Sequence, residues 1–229
     1  MTGDVVDAGR IRGRLNEVKQ RVEAAAAAAG RTDDVEVVLV TKYVSLEQMS
    51  VLADAGVRLV AENRAQDLVA KHDRYGDTFT WDFIGHLQSR KVKVVLPLVR
   101  LIHSVGSLSV VQELQSRAEN SVTVLLEVNV AAEETKSGVL PAQVDAFLQE
   151  ASACDKVRFG GLMCMPPLTS DPADAAQYFA RTRELAERLS TAWSGRYTFA
   201  ELSMGTSADY ELAVREGATK VRVGGAVLF

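Results

Sequence analysis

The sequence predicts an α/β fold, a single (β/α)8 TIM-type barrel with an extra N-terminal helix. Three observations support this prediction. Apolar runs alternate with amphipathic segments, and the alternation repeats eight times within 229 residues. The apolar runs are continuous, as in parallel strands that are covered on both faces. The connections are short and contain no Ser/Gly-rich linker, so we expect one domain over 1–229.

The elements follow in a regular order. The first is a helix over 4–29 that ends before Gly30. Its apolar face recurs at spacings of three and four residues and consists of Ile11, Leu15, Val18, Val22 and Ala26. The barrel is predicted over 35–229, with strands at 35–41, 57–63, 81–85, 101–105, 121–130, 157–165, 197–205 and 220–229. Amphipathic segments between the strands predict helices, the first of them with Ser45 as its N-cap.

An open, doubly wound sheet is the alternative fold. Such a sheet usually has a glycine-rich turn after its first strand, and the segment TKYVS at 41–45 has no glycine. We therefore favour the closed barrel.

The composition excludes several classes of protein. The formal net charge is −4 and both signs are spread along the chain, which argues against a nucleic-acid binder. No run approaches the roughly 18 apolar residues of a membrane helix, and the N-terminus lacks the apolar core of a signal peptide. Two isolated cysteines, Cys154 and Cys164, are expected to be buried thiols in a reducing compartment. We expect a soluble cytoplasmic protein.

Lys42 follows the apolar run VEVVLVT at the end of the first predicted strand. Functional residues of such barrels lie at the C-terminal ends of the strands. A lysine there can extend into solvent, or a partly desolvated amine can form a Schiff base with an aldehyde. The position after a buried strand favours the second interpretation.

Two glycine-containing segments, LSMGTS at 202–207 and VRVGG at 221–225, end the seventh and eighth strands. Barrel enzymes commonly bind phosphate at these two positions. Glycine lets backbone N–H groups approach an anion closely, hydroxyl groups add donors, and a helix predicted to begin near Ser207 adds a positive dipole end. The predicted phosphate site draws on Ser203, Gly205, Thr206, Ser207, Gly224 and Gly225.

Arg222 alternates with Val221 and Val223, so it is predicted to point into the barrel. An inward arginine requires a ligand or a carboxylate as its partner, and the sequence does not decide between them. His86 and His103 lie at strand ends without an evident carboxylate nearby in sequence, so both are interpreted as structural. No metal-binding or serine-hydrolase motif is present, and we assign no metal ligand and no catalytic residue.

A lysine for an aldehyde, a phosphate site and an inward arginine together describe a pyridoxal-phosphate pocket. A class I aldolase acting on a phosphorylated carbonyl compound is the competing description. It would require an acid–base partner beside the lysine, and the sequence offers no convincing one.

Several segments resemble the pyridoxal-phosphate homeostasis proteins. They are VLVTKYVS, AENRAQDL, WDFIGHLQSRKVK, LLEVNVAAEETKSGV, GLMCMPP and LSMGTSADYELAVREGATKVRVGGAVLF. The resemblance implies a single-domain barrel of the alanine-racemase type, usually a monomer, with the cofactor bound to Lys42 as a Schiff base. It further implies that Ser203, Gly224 and Gly225 contact the phosphate, that Arg222 lies beside the pyridine nitrogen, and that Asn63 lies near the cofactor.

The chain departs from that family pattern at three positions. Gly225 stands where a threonine is usual, Asp82 replaces the histidine of WHFIG, and Ala61 replaces the glycine of GEN. None of these changes removes the lysine, so the expected effect is on cofactor affinity.

The resemblance also bears on activity. An arginine stays protonated and leaves the pyridine nitrogen without a proton, which makes the ring a weaker electron sink. In the related racemases a second base, a tyrosine, comes from a separate C-terminal domain, and this sequence ends after its eighth predicted strand. We therefore expect a carrier that stores, buffers or delivers the cofactor to recipient apoenzymes; the alternative is an enzyme with weak racemase-type activity.

Overall fold

The computed structural model describes residues 7–133, 136–167 and 171–229, in which the strands form one closed parallel barrel. The strands are β1 (Glu36–Val40), β2 (Leu59–Glu62), β3 (Thr80–Phe83), β4 (Leu101–Val105), β5 (Val122–Val128), β6 (Val157–Cys164), β7 (Glu201–Thr206) and β8 (Lys220–Val223). Each strand pairs with the next along the chain, and β8 pairs with β1 to close the barrel. The predicted (β/α)8 fold is confirmed.

Helices surround the barrel and connect its strands. They are α1 (Ala8–Ala28), α2 (Met49–Asp54), α3 (Ala65–Tyr75), α4 (Ser89–Val95), α5 (Leu108–Arg117), α6 (Val144–Ala151), α7 (Pro172–Ala192), α8 (Tyr210–Arg215) and α9 (Gly225–Leu228). Within the three described ranges, no helix combines the length and the apolarity that crossing a bilayer requires.

The extra helix α1 is present and packs against α8 and α9. The Asp7 carboxylate caps its first turn by accepting hydrogen bonds from the backbone N–H groups of Gly9 and Arg10. The helix stops before Gly30, whose φ of +69° lies in the left-handed region that glycine adopts readily. The predicted start at residues 4–6 lies outside the described residues.

The main apolar core lies between the strands and the helices. Side chains that point outward from every strand join one large cluster with the helices. A small separate cluster inside the barrel contains Leu101, Leu125 and Met163. Polar side chains take up much of the remaining interior, and those that matter below are Asp82, His103, Ser203, Lys220 and Arg222. The barrel interior is therefore unusually polar for a protein core.

Several predicted element boundaries are wrong. The last strand ends at Val223, because Gly224 leaves the extended region with φ of −135° and ψ of −74°, and α9 follows. Strand β7 begins at Glu201 rather than at 197, because Phe199 adopts φ of +49° and breaks the extended backbone. Helix α2 begins after a turn that follows Ser45, so this serine is not its N-cap.

Candidate functional site

Lys42 lies in a tight turn directly after β1. The backbone N–H of Val44 donates to the carbonyl oxygen of Thr41 at 2.9 Å, and Val44 is buried, which anchors the turn. Lys42 itself is exposed, and its Nζ lies 4.8 Å from the ring centroid of the exposed Tyr43. The backbone of Lys42 is thus fixed at the mouth of the barrel. The expectation of a partly desolvated amine is wrong, since the protein itself leaves the residue exposed.

A buried ion pair lies beneath this turn. Lys71 Nζ donates to Glu62 Oε1 at 2.5 Å and to the carbonyl oxygen of Thr41 at 2.8 Å. The hydroxyl of Thr41 also donates to Glu62 Oε1, at 2.6 Å. Sequence analysis did not identify this pair. Lys71 follows Glu62 by nine residues and lies on the next element, so no local pattern indicated the pairing.

Asn63 follows β2 directly and is half-buried. Its Oδ1 is a buried acceptor that has no hydrogen-bond partner among the described residues. A side-chain Cβ built at Gly85 would come within 1.9 Å of the Asn63 carbonyl oxygen, so the ends of β2 and β3 approach each other too closely for any other residue. An unpaired buried acceptor at a strand end suits a bound donor group.

The three hydroxyl groups of the segment 202–207 have different partners. Ser203 is wholly buried and bonds to Arg222 and His103. The hydroxyl of Thr206 donates to Asp209 Oδ1 at 3.0 Å. The hydroxyl oxygen of Ser207 accepts from backbone N–H groups in the segment directly after β8. All three residues belong to the phosphate site that the sequence predicts, and of them Ser203, the one that the family resemblance implies, lies inside the barrel.

Ser207 Oγ accepts hydrogen bonds from the backbone N–H groups of Gly224 and Ala226 at 3.1 and 3.2 Å. A Cβ at Gly224 would lie 3.2 Å from the carbonyl oxygen of Val40, so glycine lets the end of β8 lie close to β1. A Cβ at Gly225 would meet nothing nearer than 3.9 Å, so a side chain would fit there. Converging N–H groups and a hydroxyl form the kind of concavity that binds a phosphate group.

Gly205 shapes the same segment. Its φ is +89°, and a Cβ there would lie 2.5 Å from the Cβ of Ala213. Both the backbone angle and the packing against α8 therefore require glycine. The predicted helix start near Ser207 is instead at Tyr210, and that helix has six residues.

Arg222 points into the barrel, as predicted. Its Nη1 donates to Ser203 Oγ at 2.8 Å and its Nη2 to the carbonyl oxygen of Cys164 at 3.0 Å. Among the described residues no carboxylate forms an ion pair with it. Of the two partners that the sequence left open, a ligand is therefore favoured over a carboxylate in a structural salt bridge. Burial lowers the pKa of Arg222, although the charges of Asp209 and Glu127 act in the opposite direction. A buried cation without a carboxylate suits an acceptor on a ligand.

His103 has the carboxylate partner that local sequence did not reveal. Its Nε2 lies 3.1 Å from Asp82 Oδ2, and its Nδ1 lies 2.8 Å from Ser203 Oγ. Burial lowers the pKa of His103, against the opposing effect of Asp82. His86, by contrast, is exposed. Asp82 comes from β3 and His103 from β4, and the pairing arises because these strands are neighbours.

A cavity of about 190 Å³ opens beside Arg222 at the barrel mouth. Its lining includes His86, Glu127, Lys136 and Met165. Glu127 is buried, accepts a hydrogen bond from the Ser137 hydroxyl at 2.6 Å, and has its pKa raised by burial. Sequence analysis missed Glu127, although a charged residue within the apolar strand LLEVNV was a visible signal.

The donors around this mouth suit an anion with a phosphate group rather than a metal ion. Within the described ranges, no three His, Cys, Asp or Glu side chains are grouped in a way that could hold a metal. The predicted site residues occupy three places. The ends of the neighbouring strands β1, β2 and β8 hold Lys42, Asn63 and Gly224, respectively. The barrel interior holds Ser203 and Arg222, which contact each other. The segments that end β7 and begin α9 hold Gly205 and Gly225.

Comparison with known proteins gives consistent matches over nearly the whole chain. The family model of the alanine racemase N-terminal domain matches residues 13–229. The pyridoxal phosphate homeostasis protein of Aquifex aeolicus is 37% identical over 216 residues, which is 92% of this chain and 94% of that protein. The solved structure of PipY from Synechococcus elongatus with PLP bound is 30% identical, with a TM-score of 0.82 over 96% of this chain and 100% of PipY. The solved alanine racemase of Clostridium difficile is 14% identical, and the match, with a TM-score of 0.71, covers 97% of this chain and 57% of the racemase chain. At this identity the likeness shows the fold alone.

Proposed function

Since this chain belongs to the alanine racemase N-terminal domain family, we propose that it binds pyridoxal 5'-phosphate as a Schiff base on Lys42 and serves intracellular homeostasis of that cofactor. The observation that carries the proposal is the convergence of the Ser207 hydroxyl and the backbone N–H groups of Gly224 and Ala226 beside β1, the strand that Lys42 follows. The matching relatives are named for the same homeostasis, and PipY was solved with PLP bound.

The residues of the mouth fit the parts of this cofactor. We assign its phosphate to Ser207 and to the backbone N–H groups at 224–226, which Gly205 and Gly224 allow to converge. Arg222 supplies an N–H donor for the pyridine nitrogen, whose lone pair is an acceptor. The unpaired Oδ1 of Asn63 accepts from a donor at the cofactor edge. In this assignment Ser203 holds Arg222 in place and does not contact the cofactor itself. Lys42 is the residue that reacts with the aldehyde of the cofactor.

We further propose that the protein carries the cofactor more than it uses it. When bound, pyridoxal phosphate supplies an electron-withdrawing ring, and this capacity is greatest with a protonated ring nitrogen. Arg222 donates a hydrogen bond but does not give up its proton, so it favours the weaker form of the ring. A monomeric cytoplasmic carrier that passes the cofactor to recipient apoenzymes is consistent with this pocket and with its two free thiols, Cys154 and Cys164.

One observation favours an enzyme as the second candidate. Glu127 is a buried carboxyl group with a raised pKa beside Arg222, and such a group can move a proton at a bound substrate. A weak racemase-type activity would then use Glu127 as its acid–base group. The carboxyl group of Glu127 would be the first one to remove in testing for activity.

The test labels the lysine chemically. The protein is mixed with pyridoxal phosphate, reduced with borohydride and digested, and the modified lysine is located by mass spectrometry. We expect the label on Lys42, its loss in Lys42→Ala, and full labelling in Lys93→Ala, which removes an exposed lysine of α4. Labelling elsewhere, or none, contradicts the proposed site.

Turnover separates the carrier from the enzyme. Free L- and D-amino acids are incubated with the loaded protein and their chirality is followed. Sustained racemisation that disappears in both Lys42→Ala and Glu127→Gln would reject the carrier. A yellow Schiff-base absorbance that sugar phosphates do not displace would count against an aldolase.

A further inference from the structure

A chain of hydrogen bonds extends from Arg222 through the barrel interior. Arg222 Nη1 donates to Ser203 Oγ at 2.8 Å, Ser203 Oγ lies 2.8 Å from His103 Nδ1, and His103 Nε2 lies 3.1 Å from Asp82 Oδ2. Ser203, His103 and Asp82 are each 0% exposed, and Arg222 is 4% exposed. Water therefore has little access to any link of the chain.

This chain of hydrogen bonds continues to the opposite end of the barrel. Arg100 donates to both oxygens of Asp82, from Nε at 3.0 Å and from Nη2 at 2.7 Å. The same guanidinium binds Glu36, and Lys220 Nζ lies 2.7 Å from Glu36 Oε2. Because a guanidinium can only donate, both oxygens of Asp82 act as hydrogen-bond acceptors in this two-pronged pairing with Arg100.

The charge of Asp82 determines the direction of every bond above it. Because the carboxylate accepts, His103 Nε2 must carry the proton and donate it. Burial lowers the pKa of His103, which favours the neutral imidazole, and in the neutral ring with Nε2 protonated Nδ1 is an acceptor. The Ser203 hydroxyl then donates to Nδ1 and offers its lone pair to Arg222, which can only donate.

We propose that Asp82 is a positioning residue that acts through His103 and Ser203 to fix the Arg222 guanidinium at the cofactor's pyridine nitrogen. This inference rests on the proposed function, since it concerns how the same site presents its arginine. Nη1 is held by Ser203 and Nη2 by the Cys164 carbonyl, so the orientation of the guanidinium is set by the protein before any ligand arrives. Pre-organised donors bind more tightly because no reorganisation is required.

Asp82→Asn reverses the direction of the chain. With the amide nitrogen in the place of Oδ2, the side chain donates to His103 Nε2; the ring proton then moves to Nδ1, which becomes a donor toward Ser203. Ser203 Oγ then faces two donors, Nδ1–H and Arg222, and its own proton has no acceptor in the chain. Arg222 loses its fixed orientation without being altered itself.

Two further variants separate this effect from simple destabilisation. Ser203→Ala cuts the chain above His103 and leaves the pairing of Asp82 with His103 and Arg100 intact. Glu36→Gln removes a carboxylate from the same guanidinium, Arg100, but leaves the three bonds between Asp82 and Arg222 in place. Glu36→Gln is therefore the matched control for loss of a carboxylate beside Arg100.

The first measurement uses the protein without added cofactor. Nitrogen-15 NMR reports which ring nitrogen of His103 carries the proton and how ordered the Arg222 side chain is. We expect an Nε2–H tautomer in the wild type, Ser203→Ala and Glu36→Gln, and an Nδ1–H tautomer in Asp82→Asn. Disorder of the Arg222 side chain is expected in Asp82→Asn and Ser203→Ala only.

The second measurement is the absorbance and affinity of bound pyridoxal phosphate. Asp82→Asn and Ser203→Ala should each weaken binding roughly tenfold or more and shift the absorbance maximum, whereas Glu36→Gln should bind within about twofold of the wild type. Should Asp82→Asn not fold, Ser203→Ala, which changes no charged residue, decides the matter.

The inference is overturned if either Asp82→Asn or Ser203→Ala leaves both the Arg222 signals and the cofactor spectrum unchanged. It is also overturned if Glu36→Gln changes the spectrum as much as Ser203→Ala does. Failure of the wild type to bind pyridoxal phosphate would instead refute the proposed function, and the NMR result would still show whether Asp82 orients Arg222.

Discussion

The buried pair of Lys71 and Glu62 gives the sharpest test of how the Lys42 turn is held. Their side chains are 7% and 0% exposed, and Glu62 Oε2 has no partner among the described residues. Lys71→Met removes the cation and leaves the carboxylate buried. Breaking one side of a buried pair typically costs about 3–5 kcal/mol, so we expect a loss of about 3 kcal/mol or more in the free energy of unfolding.

A double variant identifies the cause of that loss. In Glu62→Gln combined with Lys71→Met no charge remains, and the amide oxygen introduced in place of the carboxylate can still accept from the Thr41 hydroxyl. We expect this double variant to recover about 2 kcal/mol relative to Lys71→Met alone, since replacing both partners of a buried pair is often near neutral. Lys93→Met, at an exposed position of α4, should change stability by less than about 0.5 kcal/mol.

The assay is urea unfolding followed by circular dichroism at one pH. The reasoning is refuted if Lys71→Met costs less than about 1 kcal/mol, or if the double variant is less stable than Lys71→Met. Either outcome would mean that an unpaired Glu62 carboxylate is not the cause of the loss in Lys71→Met.

Three further predictions concern other sites. Gly205→Ala should lower the free energy of unfolding by about 2 kcal/mol or more, because φ is +89° and the new Cβ would lie 2.5 Å from a neighbouring atom. Gly225→Ala, whose new Cβ would meet nothing nearer than 3.9 Å, should change it by less than about 0.5 kcal/mol. Equal losses for the two variants in urea unfolding would contradict this. Burial alone would raise the pKa of Glu36, but its hydrogen bonds to cations lower it from 4.5 to about 2. The contribution of Glu36 to the free energy of unfolding is therefore fully present above pH 4.5 and is lost as the pH falls toward 2. After allowance for partial exposure, this loss is about 1–2 kcal/mol. In Glu36→Gln the free energy of unfolding should therefore decline less steeply over the same pH range. Burial raises the pKa of Cys164 to about 11, so one thiol, that of half-buried Cys154, should react with a disulfide reagent in the native protein and both in urea; two fast thiols in the native state would contradict this.

The barrel itself could be predicted because its strands are continuous apolar runs with distinct helical segments between them. The end of the last strand could not, since the apolar run at 226–229 fits a strand and a short helix equally well, and the backbone angles of Gly224 decide between them. Likewise, nothing local in YTFAEL indicates that Phe199 adopts a positive φ.

Some features of the candidate site could likewise be predicted from the sequence, and others could not. Lys42, Arg222 and Gly224 could be predicted because the ends of parallel strands converge at one face of a barrel. The partners of Asp82 and Glu62 could not, because each bond joins side chains from different elements whose register no single sequence reveals. A polar residue inside an apolar strand was the available signal at Asp82 and Glu127, but it does not say which partner satisfies it.

The pairing of β1 with β8 also has a consequence for how the protein folds. These strands come from opposite ends of the chain, and Leu39 pairs with Val223, so the last ladder closes a very long loop at a high entropic cost. Lys42 and the N–H groups of Gly224 and Ala226 come together only when that seam closes. If pyridoxal phosphate binds there as proposed, its spectrum during refolding reports closure of the seam, and it stabilises only molecules in which the two ends of the chain have already met.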